Sequence, residues 1–517
     1  MLSQRITLFL IGVAALLPLL GLGVWLWRRY YQEDTDNTAR RVVKNSTLPI
    51  VANLFNQVIN LGFAAITLRY LGPAGNGDYG FVALIVALYF LTISNWGLND
   101  LTVREVAADP TLAPRLFSIT LLLRCGMAAL LIPAAAGLVA FYALIGNPLS
   151  PAAIGALTLL MLHLFPAAVA SACSASFQAF QRMEVPALVA LLTNIAKVLV
   201  GTLVFIAGGR VVALAGVAFA ITTLNGLIFL VLQRRLLFQA ELTWDWETGR
   251  RLLRESFPLL LNSLLLVVFF RFDYIILRAF YDRDTIGIYD AAYKWINMTT
   301  IVPAYFVAAL FPVLSRYATT DRAALNRAYR HALALLQMIA WPVAVGVSIL
   351  ARELILLIGG QAFLPGAAWA LAILIWFLPF SYANGVTQYV IIAIRRQRAI
   401  TIAFAIAAAF NLVTNLLLTP RYGYVAAAAL TVATELVILA PFLRILRSED
   451  ATPPLFALAW RPATAALLMG VAMLAAYPVG WWAAVVIAPP VYGAALWLLG
   501  AFGAEERALA RRVLGRP

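Results

Sequence analysis

The 517-residue chain is 63% hydrophobic and only 12% charged, yet it carries a formal net charge of +15. A composition this apolar is typical of a polytopic membrane protein and excludes a soluble globular domain. A membrane-spanning helix needs about 20 mostly apolar residues. Fifteen such runs occur in chain order, at about residues 6–27, 48–69, 79–99, 116–144, 152–180, 186–207, 211–232, 257–280, 286–313, 331–351, 367–394, 400–418, 422–443, 462–479 and 481–502.

The first run, at 6–27, has two interpretations. It is long for the apolar core of a signal peptide, and no A-x-A-like cleavage site follows it. The pairs Arg28-Arg29 and Arg40-Arg41 come after it. We therefore predict an extra N-terminal transmembrane helix that is retained, with a signal peptide as the alternative.

The basic residues indicate a membrane topology. Lys and Arg collect in cytoplasmic loops and thereby orient membrane proteins. With the C-terminus inside and the helices alternating, 27 of the 38 Lys and Arg residues fall in or beside cytoplasmic segments, and 7 fall outside. We therefore predict a multi-pass protein of the cell membrane with a cytoplasmic C-terminus. The same split explains most of the basicity, so a nucleic-acid partner is unnecessary.

Two segments of the chain match each other, LPIVANLFNQVINLGFAAITLRYLGPAGNGDYG at 48–80 and FPLLLNSLLLVVFFRFDYIILRAFYDRDTIGIYD at 257–290. The matched positions are Pro49 with Pro258, Asn53 with Asn262, Arg69 with Arg278 and, one inserted residue later, Gly77-Asp78-Tyr79 with Gly287-Ile288-Tyr289. Each match begins a set of six predicted helices. Because six is even, both sets enter the membrane in the same direction, as in the parallel repeats of some secondary transporters.

The repeat predicts an all-α polytopic membrane protein with two parallel six-helix repeats, the N-lobe and the C-lobe. A C-terminal helix pair brings the core to fourteen transmembrane helices, and the extra N-terminal helix precedes them. The predicted segments are an N-terminal helix and linker (1–45), the N-lobe (46–237), a cytoplasmic amphipathic linker (238–256), the C-lobe (257–447), and the helix pair with its basic tail (448–517).

Motifs for enzyme chemistry are missing from the sequence. There is no G-x-x-x-x-G-K-[ST] phosphate loop, no G-x-S-x-G and no H-E-x-x-H. The two cysteines, Cys125 and Cys173, lie in predicted helices and have no metal-binding spacing. We therefore predict no catalytic residues, no metal and no cofactor.

Ionisable side chains inside membrane helices are functional candidates by default. Asp273 and Lys294 both lie about 10–12 Å from the outer ends of successive helices, which predicts an ion pair. Asp290 shares the helix face of Lys294. Arg271 is two residues from Asp273 and so lies roughly on the opposite side of the helix, with one of the two facing the lobe interior and the other a cavity. We assign Asp273 to the interior and Arg271 to the substrate cavity; the mirror assignment would leave an arginine inside a packed lobe.

Further deep polar residues complete the candidate site. Lys197 and Arg124 are the remaining deep cations, and Arg124 could instead reach the cytoplasmic surface. Glu435 is a candidate for ion or proton coupling. The uncharged candidates for the cavity, which could equally serve as contacts between helices, are Asn53, Gln57, Asn60, Asn384 and Gln388. The deep set holds four cations against three acids, and a net-positive cavity favours an anion such as a phosphate.

Several motifs resemble those of polysaccharide-transport flippases. RYLGPAGNGDYGFVALI (69–85) and NWGLNDLTVREVA (95–107) resemble the opening of that family, in which R-Y-L-G-P-x-x-x-G is followed by G-L and R-E. FPLLLNSLL, FDYIILRAF, IGIYDAAYKW and ALFPVLSR, all within 257–316, are similar to its second-half motif. The resemblance covers about residues 46–445. It identifies the multidrug/oligosaccharidyl-lipid/polysaccharide exporter superfamily better than a substrate.

The resemblance implies two six-helix bundles in a V shape that work by alternating access. It implies an undecaprenyl-pyrophosphate-linked oligosaccharide as the substrate, flipped from the inner to the outer leaflet. In related lipid II flippases, cavity arginines engage the pyrophosphate, and the resemblance extends this role as a class to Arg271, Lys294, Lys197 and Arg124. The extra N-terminal helix departs from the usual pattern, and fourteen core helices are closer to the lipid II branch.

The expected partners are the polyprenyl-pyrophosphate-linked glycan, the lipid bilayer, a polysaccharide polymerase and glycosyltransferases. Two other functions stay open. A multidrug cation extruder of the same fold would favour an acidic cavity. A membrane glycosyltransferase or ligase would need outer-face catalytic acids or a large loop, and the longest outer loop, at about 352–366, is mostly apolar.

Overall fold

The structure is a computed structural model that describes residues 38–240, 243–449 and 452–501, with side chains from residue 55 onward except those of residues 301 and 302. The predicted helix at 6–27 and most of the basic C-terminal tail lie outside the described residues. The described chain is helical throughout and contains no strand. It divides into two compact units, Met1–Asp290 and Ala291–Pro517. The lobe boundaries drawn from the sequence remain a prediction.

The first unit contains the helices α1 (Thr38–Leu84), α2 (Leu91–Asn95), α3 (Leu98–Ala108), α4 (Ala113–Leu144), α5 (Pro151–Ala179), α6 (Glu184–Ile206), α7 (Val211–Leu236), α8 (Trp246–Phe280) and the start of α9 (Arg283–Thr299). The second unit contains the rest of α9 and the helices α10 (Ile301–Thr320), α11 (Arg322–Ile349), α12 (Ala351–Ile358), α13 (Gly366–Leu374), α14 (Leu378–Ala393), α15 (Gln397–Arg447), α16 (Leu455–Ala476) and α17 (Trp481–Leu498). Short π or 3₁₀ turns lie at Ile85–Phe90, Pro110–Leu112, Gln361–Phe363 and Ile375–Phe377.

Twelve helical stretches among the described residues are long and apolar enough to cross a membrane. Two of them contain a glycine with a backbone that L-residues rarely adopt: Gly72 in α1 (φ 66°) and Gly423 in α15 (φ 62°). At about 1.5 Å per residue, α15 is roughly twice as long as the hydrocarbon core is thick. Each glycine therefore divides its stretch into two crossings. Twelve stretches with two such divisions give fourteen core crossings, which confirms the predicted fold class.

The connection between the two crossings in α1 is a single kink at Gly72, after which the helix resumes with Pro73. Proline suits the first position of a helix because its missing N–H has no partner there, and glycine supplies the left-handed backbone that ends the preceding helix.

The linker predicted to lie on the cytoplasmic surface is largely the beginning of α8. Asp245 caps this helix by accepting the Glu247 N–H at 3.1 Å. The Thr248 hydroxyl and then the Arg115 guanidinium donate to the same carboxylate, and these hydrogen bonds hold the pKa of Asp245 below its usual range. The α8 helix therefore begins within the predicted linker and continues into the predicted span at 257–280 without interruption.

The first turns of α8 pack against α3. Leu252 is fully buried among apolar residues that include Leu101 and Val106. Arg251 donates two hydrogen bonds to Glu105, at 2.7 and 2.9 Å. Bidentate pairing of a guanidinium with a carboxylate fixes its geometry as well as adding energy, so these contacts hold the start of α8 in register with α3.

The matched glycines of the two repeats lie against each other. A Cβ atom on Gly77 would lie 1.7 Å from the carbonyl oxygen of Arg283, and one on Gly287 would lie 1.9 Å from that of Pro73. The two contacts are reciprocal, because Gly287 is the counterpart of Gly77 and Arg283 is the counterpart of Pro73 at the same spacing. Only glycine allows backbones to approach this closely.

In the second unit, the C-terminal helix pair packs on α11. Val345 forms a buried apolar cluster with Met469, Met473 and other residues of α16 and α17. The Tyr492 hydroxyl donates to the carbonyl of Met338 at 2.7 Å. The pair is therefore an integral layer of the second unit.

Candidate functional site

Arg271 and Asp273 lie in the C-terminal third of α8 in different surroundings. Asp273 is 2% exposed, and its carboxylate accepts the Tyr289 hydroxyl at 2.6 Å and the Tyr274 backbone N–H at 3.0 Å. Arg271 is only half-buried, and its guanidinium carbon lies 5.6 Å from the centre of the Tyr274 ring. The acid is thus enclosed within the first unit, while the base keeps an accessible surface.

Two tyrosines connect the buried acids of α8 and α9. Tyr289, next to Asp290 on α9, donates to Asp273 on α8, while the Tyr274 hydroxyl lies 3.5 Å from Asp290. The two rings are 5.2 Å apart. Asn76, from the first repeat, donates to Asp290 at 3.0 Å. The sequence analysis missed these partners, although Tyr289 belongs to the matched G-x-Y motif.

Lys294 follows Asp290 on α9 and belongs to the second unit. Its side chain is half-buried. The ion pair of Lys294 with Asp273 remains a prediction.

Lys197 on α6 contacts the polar face of α1. Its ammonium donates to the side-chain oxygen of Asn60 at 3.2 Å and lies 5.9 Å from the centre of the Phe63 ring. One turn away, the Asn194 amide donates to the side-chain oxygen of Asn56 at 2.9 Å. A line of polar contacts therefore follows the α1–α6 boundary.

Two further polar candidates, Gln57 and Asn53, lie on α1. Gln57 is half-buried. The side chain of Asn53 lies outside the described part of the structure. Their predicted place in a cavity stays a prediction.

Arg124 on α4 is completely buried. Its Nη2 atom donates to the side-chain oxygen of Asn99 at 2.6 Å, and Ser171 donates to the same oxygen at 3.0 Å. Asn99 and Ser171 were not among the predicted site residues. Asn99 belongs to the NWGLNDL motif, but no feature of the sequence indicates which cation it contacts.

In the second unit, Glu435 on α15 is 3% exposed. The Asn384 amide donates to its carboxylate at 2.7 Å and to its backbone carbonyl at 2.8 Å. This contact was not predicted, although both residues were candidates. Gln388, one turn after Asn384, is half-buried.

A file of buried polar side chains runs along α15 beside Glu435. Asn411 donates to the Thr434 hydroxyl at 3.0 Å, Asn415 donates to the Asn411 carbonyl at 3.0 Å, and Thr419 donates to the Asn415 side-chain oxygen at 2.8 Å. The Asn411–Thr434 hydrogen bond joins the two halves of α15 on either side of Gly423, and the other two lie within the first half. Among the described residues there is no group of three or more His, Cys, Asp or Glu side chains that could hold a metal ion.

Comparison with known proteins adds a family and a fold. The polysaccharide biosynthesis protein family model matches residues 42–318, more than half of the chain. No curated protein matches the chain significantly.

Solved structures share the fold at low sequence identity. Lipid II flippase MurJ, in an inward closed conformation, has a TM-score of 0.71 and 16% identity, with 91% of this chain and 100% of that chain covered. An inward-facing multidrug resistance MATE family transporter of the MOP superfamily has a TM-score of 0.58 and 17% identity, with 80% and 99% covered. A MOP superfamily transporter from Pyrococcus furiosus has a TM-score of 0.56 and 15% identity, with 80% and 96% covered.

At these identities the solved structures establish the fold alone. The many apolar helices make this a multi-pass membrane protein. The family model adds what the structures cannot: the chain belongs to the polysaccharide biosynthesis protein family.

Proposed function

We propose that this protein is a flippase that moves a polyprenyl-pyrophosphate-linked oligosaccharide from the inner to the outer leaflet, for synthesis of a cell-surface polysaccharide. Membership of the polysaccharide biosynthesis family and the fold shared with a lipid II flippase support this proposal. In the cell membrane, with the C-terminus in the cytoplasm, the protein would work by alternating access and without its own ATP hydrolysis.

The observation that carries the proposal is the half-buried guanidinium of Arg271 in an apolar helix. The first repeat has Gly62 at the matching position, and a Cβ atom there would meet nothing within 4 Å. The fold is therefore built without a charge at this position in one copy. A charge that the fold does not require, and that is expensive to keep within a membrane, is best explained by a ligand.

Lys197 is the second of the deep candidate cations in the first unit that keeps an accessible surface. Its ammonium donates to Asn60, and a charged ammonium with three N–H donors is a group that suits a phosphate. We propose that Arg271, Lys197 and Lys294 bind the phosphate groups, with arginine suited to bidentate contact. Arg124 is enclosed in this conformation, so it is not part of the proposed phosphate site.

The membrane potential provides a driving force for this transport. An inside-negative potential favours outward movement of an anion by about 2.3 kcal/mol per charge for each 100 mV. A pyrophosphate group with more than one negative charge therefore gains several kcal/mol on reaching the outer leaflet. The lipid tail can stay in the bilayer while the charged head group crosses.

The test is transport in proteoliposomes that contain a fluorescent polyprenyl-pyrophosphate oligosaccharide. The double variant Arg271→Ala with Lys294→Ala should lower the transport rate at least tenfold. Hydrogen bonds to charged groups contribute about 1.5–3 kcal/mol each, and 1.4 kcal/mol corresponds to a factor of ten.

Arg254→Ala is the matched control, because Arg254 lies on the same helix and is exposed. It should transport at the wild-type rate. If the double variant also transports normally while remaining folded in the membrane, the phosphate site is wrong. If no variant, nor the wild type, transports any polyprenyl-pyrophosphate glycan, the proposed function itself is wrong.

The multidrug alternative rests on the fold shared with MATE transporters. Expression in a drug-sensitive host distinguishes the two functions. Resistance to cationic drugs would favour the extruder, whereas restored surface polysaccharide without resistance would favour the flippase.

A further inference from the structure

The second membrane crossing of the first unit contains a segment with irregular backbone on both sides. The helix becomes π-helical over Ile85–Phe90 and returns to α-helix in α2 (Leu91–Asn95). Trp96 and Gly97 then adopt left-handed backbone, with φ angles of 49° and 72°, which is uncommon for a residue other than glycine. A π-helical turn closes its hydrogen bonds one residue further along the chain than an α-helical turn, and such turns are frequent at functional sites. Residues 85–97 form the α2 segment.

Two buried polar side chains of the α2 segment lack hydrogen bonds. The hydroxyl of Tyr89, on the π-helical turn, and the side-chain oxygen of Asn95, at the end of α2, have no hydrogen-bond partner among the described residues. An unpaired buried polar group costs stability, and native structures keep few of them. A second conformation of the segment that pairs these groups would therefore recover part of this cost.

Tyr89 lies beside the buried acid of α8. The ionisable groups within its electrostatic reach are Asp273, Arg271 and Tyr142. The Asp273 carboxylate accepts the Tyr289 hydroxyl at 2.6 Å, so it already serves as an acceptor for a phenol. Hydrogen bonds to a carboxylate are stronger than those to a neutral acceptor. Asp273 is therefore the acceptor that a change in the direction of Tyr89 would favour.

Contacts hold the α2 segment at both ends. At its C-terminal end, a Cβ atom on Gly97 would lie 2.7 Å from that of Leu259. The Trp96 indole N–H donates to the Leu253 carbonyl at 3.1 Å. Before the π-helical turn, Gly77 is held against the backbone of α9. Rotation of α2 about its own axis therefore changes the direction of its side chains without moving either contact.

The second repeat interrupts the corresponding helix at the same register. At the offset that pairs Gly77 with Gly287, Tyr89 corresponds to Thr299. The α9 helix ends at Thr299, and α10 begins at Ile301. Neither copy of the repeat builds this crossing as one continuous α-helix, so the irregularity belongs to the repeated architecture.

We propose that the α2 segment is a two-state element of the transport cycle and that Tyr89 is its positioning residue. In the second state the π-helical turn relaxes, α2 rotates, and the Tyr89 hydroxyl donates to the carboxylate of Asp273. Because Arg271 is two residues from Asp273 on α8, this hydrogen bond alters the surroundings of the proposed phosphate site. The role in transport rests on the proposed flippase activity, whereas the two states of the segment do not.

Hydrogen–deuterium exchange of the full-length protein in detergent tests the two states without any substrate. Backbone amides of residues 85–97 should exchange at least tenfold faster than those of residues 76–84 in the same crossing, because relaxation of the π-helical turn breaks their hydrogen bonds. A hydrogen bond to a charged group corresponds to a factor of about ten or more in an equilibrium constant. Tyr89→Phe, which lacks the donor that the second state uses, should therefore slow this exchange about tenfold.

Thermal unfolding provides the matched control. Tyr89→Phe should leave the Tm unchanged or raise it, because the hydroxyl that it removes is unpaired in the described state. Tyr142→Phe should lower the Tm, because the Tyr142 hydroxyl donates to the Ile275 carbonyl at 3.0 Å. The two variants remove the same group from buried tyrosines of one unit, and only the first should slow exchange.

Transport in proteoliposomes tests the role in the cycle. Tyr89→Phe should lower the rate of polyprenyl-pyrophosphate oligosaccharide transport about tenfold in a protein as stable as the wild type. In an Asp273→Asn background, which has a weaker acceptor, Tyr89→Phe should cause little further loss, because both changes act on the same hydrogen bond.

Two results would overturn the proposal. One is an exchange rate over residues 85–97 that equals that of residues 76–84 or is unchanged in Tyr89→Phe, because the segment would then have one state. The other is wild-type transport by Tyr89→Phe, or fully additive losses with Asp273→Asn. If the wild type transports no such glycan, the proposed function is wrong, and the exchange measurement alone decides whether the segment has two states.

Discussion

Replacing Gly77 by alanine should strongly destabilise the first unit. The added Cβ would lie 1.7 Å from the carbonyl oxygen of Arg283, and an ordinary carbon–oxygen contact is about 3.3 Å or longer. The helices must therefore separate by more than about 1 Å at their crossing. Overpacking of this kind typically costs about 1–3 kcal/mol. Here the obstacle is rigid backbone, so we expect a cost of about 3 kcal/mol or more.

The measurement is the thermal unfolding of each purified variant in detergent. Gly287→Ala should destabilise to a similar extent through its contact with Pro73. The double variant Gly77→Ala with Gly287→Ala should lose less stability than the sum of the two single losses, because one separation of the helices relieves both clashes. Gly126→Ala is the control: a Cβ there meets nothing within 4 Å, so helix propensity should raise stability by up to about 1 kcal/mol. A Gly77→Ala variant as stable as the wild type would falsify the close crossing.

Three further predictions concern stability and use the same unfolding assay. Arg251→Gln should lower the free energy of unfolding by about 1 kcal/mol, because it weakens the contact with Glu105. The loss is modest because the arginine is partly exposed. An unchanged Tm would show that the pair contributes nothing to stability. Because the pKa of Asp245 is lowered in the folded protein, its ionised carboxylate stabilises the fold at pH values above the ordinary aspartate pKa of 3.8. This stabilisation is lost as the pH falls through the lower folded-state pKa. The Tm advantage of the wild type over Asp245→Asn should therefore shrink between pH 5 and pH 3, and a constant difference would contradict this reasoning. Glu435→Leu should lower the free energy of unfolding by about 1–3 kcal/mol, because the Asn384 amide loses its carboxylate acceptor and keeps only the backbone carbonyl of residue 435. Glu435→Gln, which retains a side-chain acceptor oxygen, should lower it less, and equal losses would argue against the side-chain hydrogen bond.

The number of helices and the fold class could be predicted from the sequence, because each membrane crossing requires an apolar run of a length fixed by the bilayer. The repeat was visible for a related reason: Gly77 and Gly287 tolerate no side chain, so the motif around them is constrained by contact. The connections were less predictable. A kink at Gly72 and a loop at the same place have the same composition, and only the backbone angles distinguish them.

The partners of the buried charges could not be derived from spacing. Helical periodicity gives the face on which a side chain lies but not the helix opposite it. It therefore placed Asp273 and Arg271 on different sides of α8, but it did not find Tyr289, which donates to the acid. In the same way, Arg124 was recognised as a deep cation, while its contact with Asn99 depends on how α3 packs against α4.

The reciprocal glycine contact has a consequence for how such a chain can be assembled. In a two-fold symmetric homodimer, the same surface serves both subunits: position i of one contacts position j of the other, and j contacts i in return. Gly77 with Arg283 and Gly287 with Pro73 obey this rule at the spacing of the repeat. The crossing is therefore an isologous interface within one polypeptide. A single repeat already contains both surfaces needed to pair with a copy of itself, so joining two copies in one chain requires no new contact at this crossing.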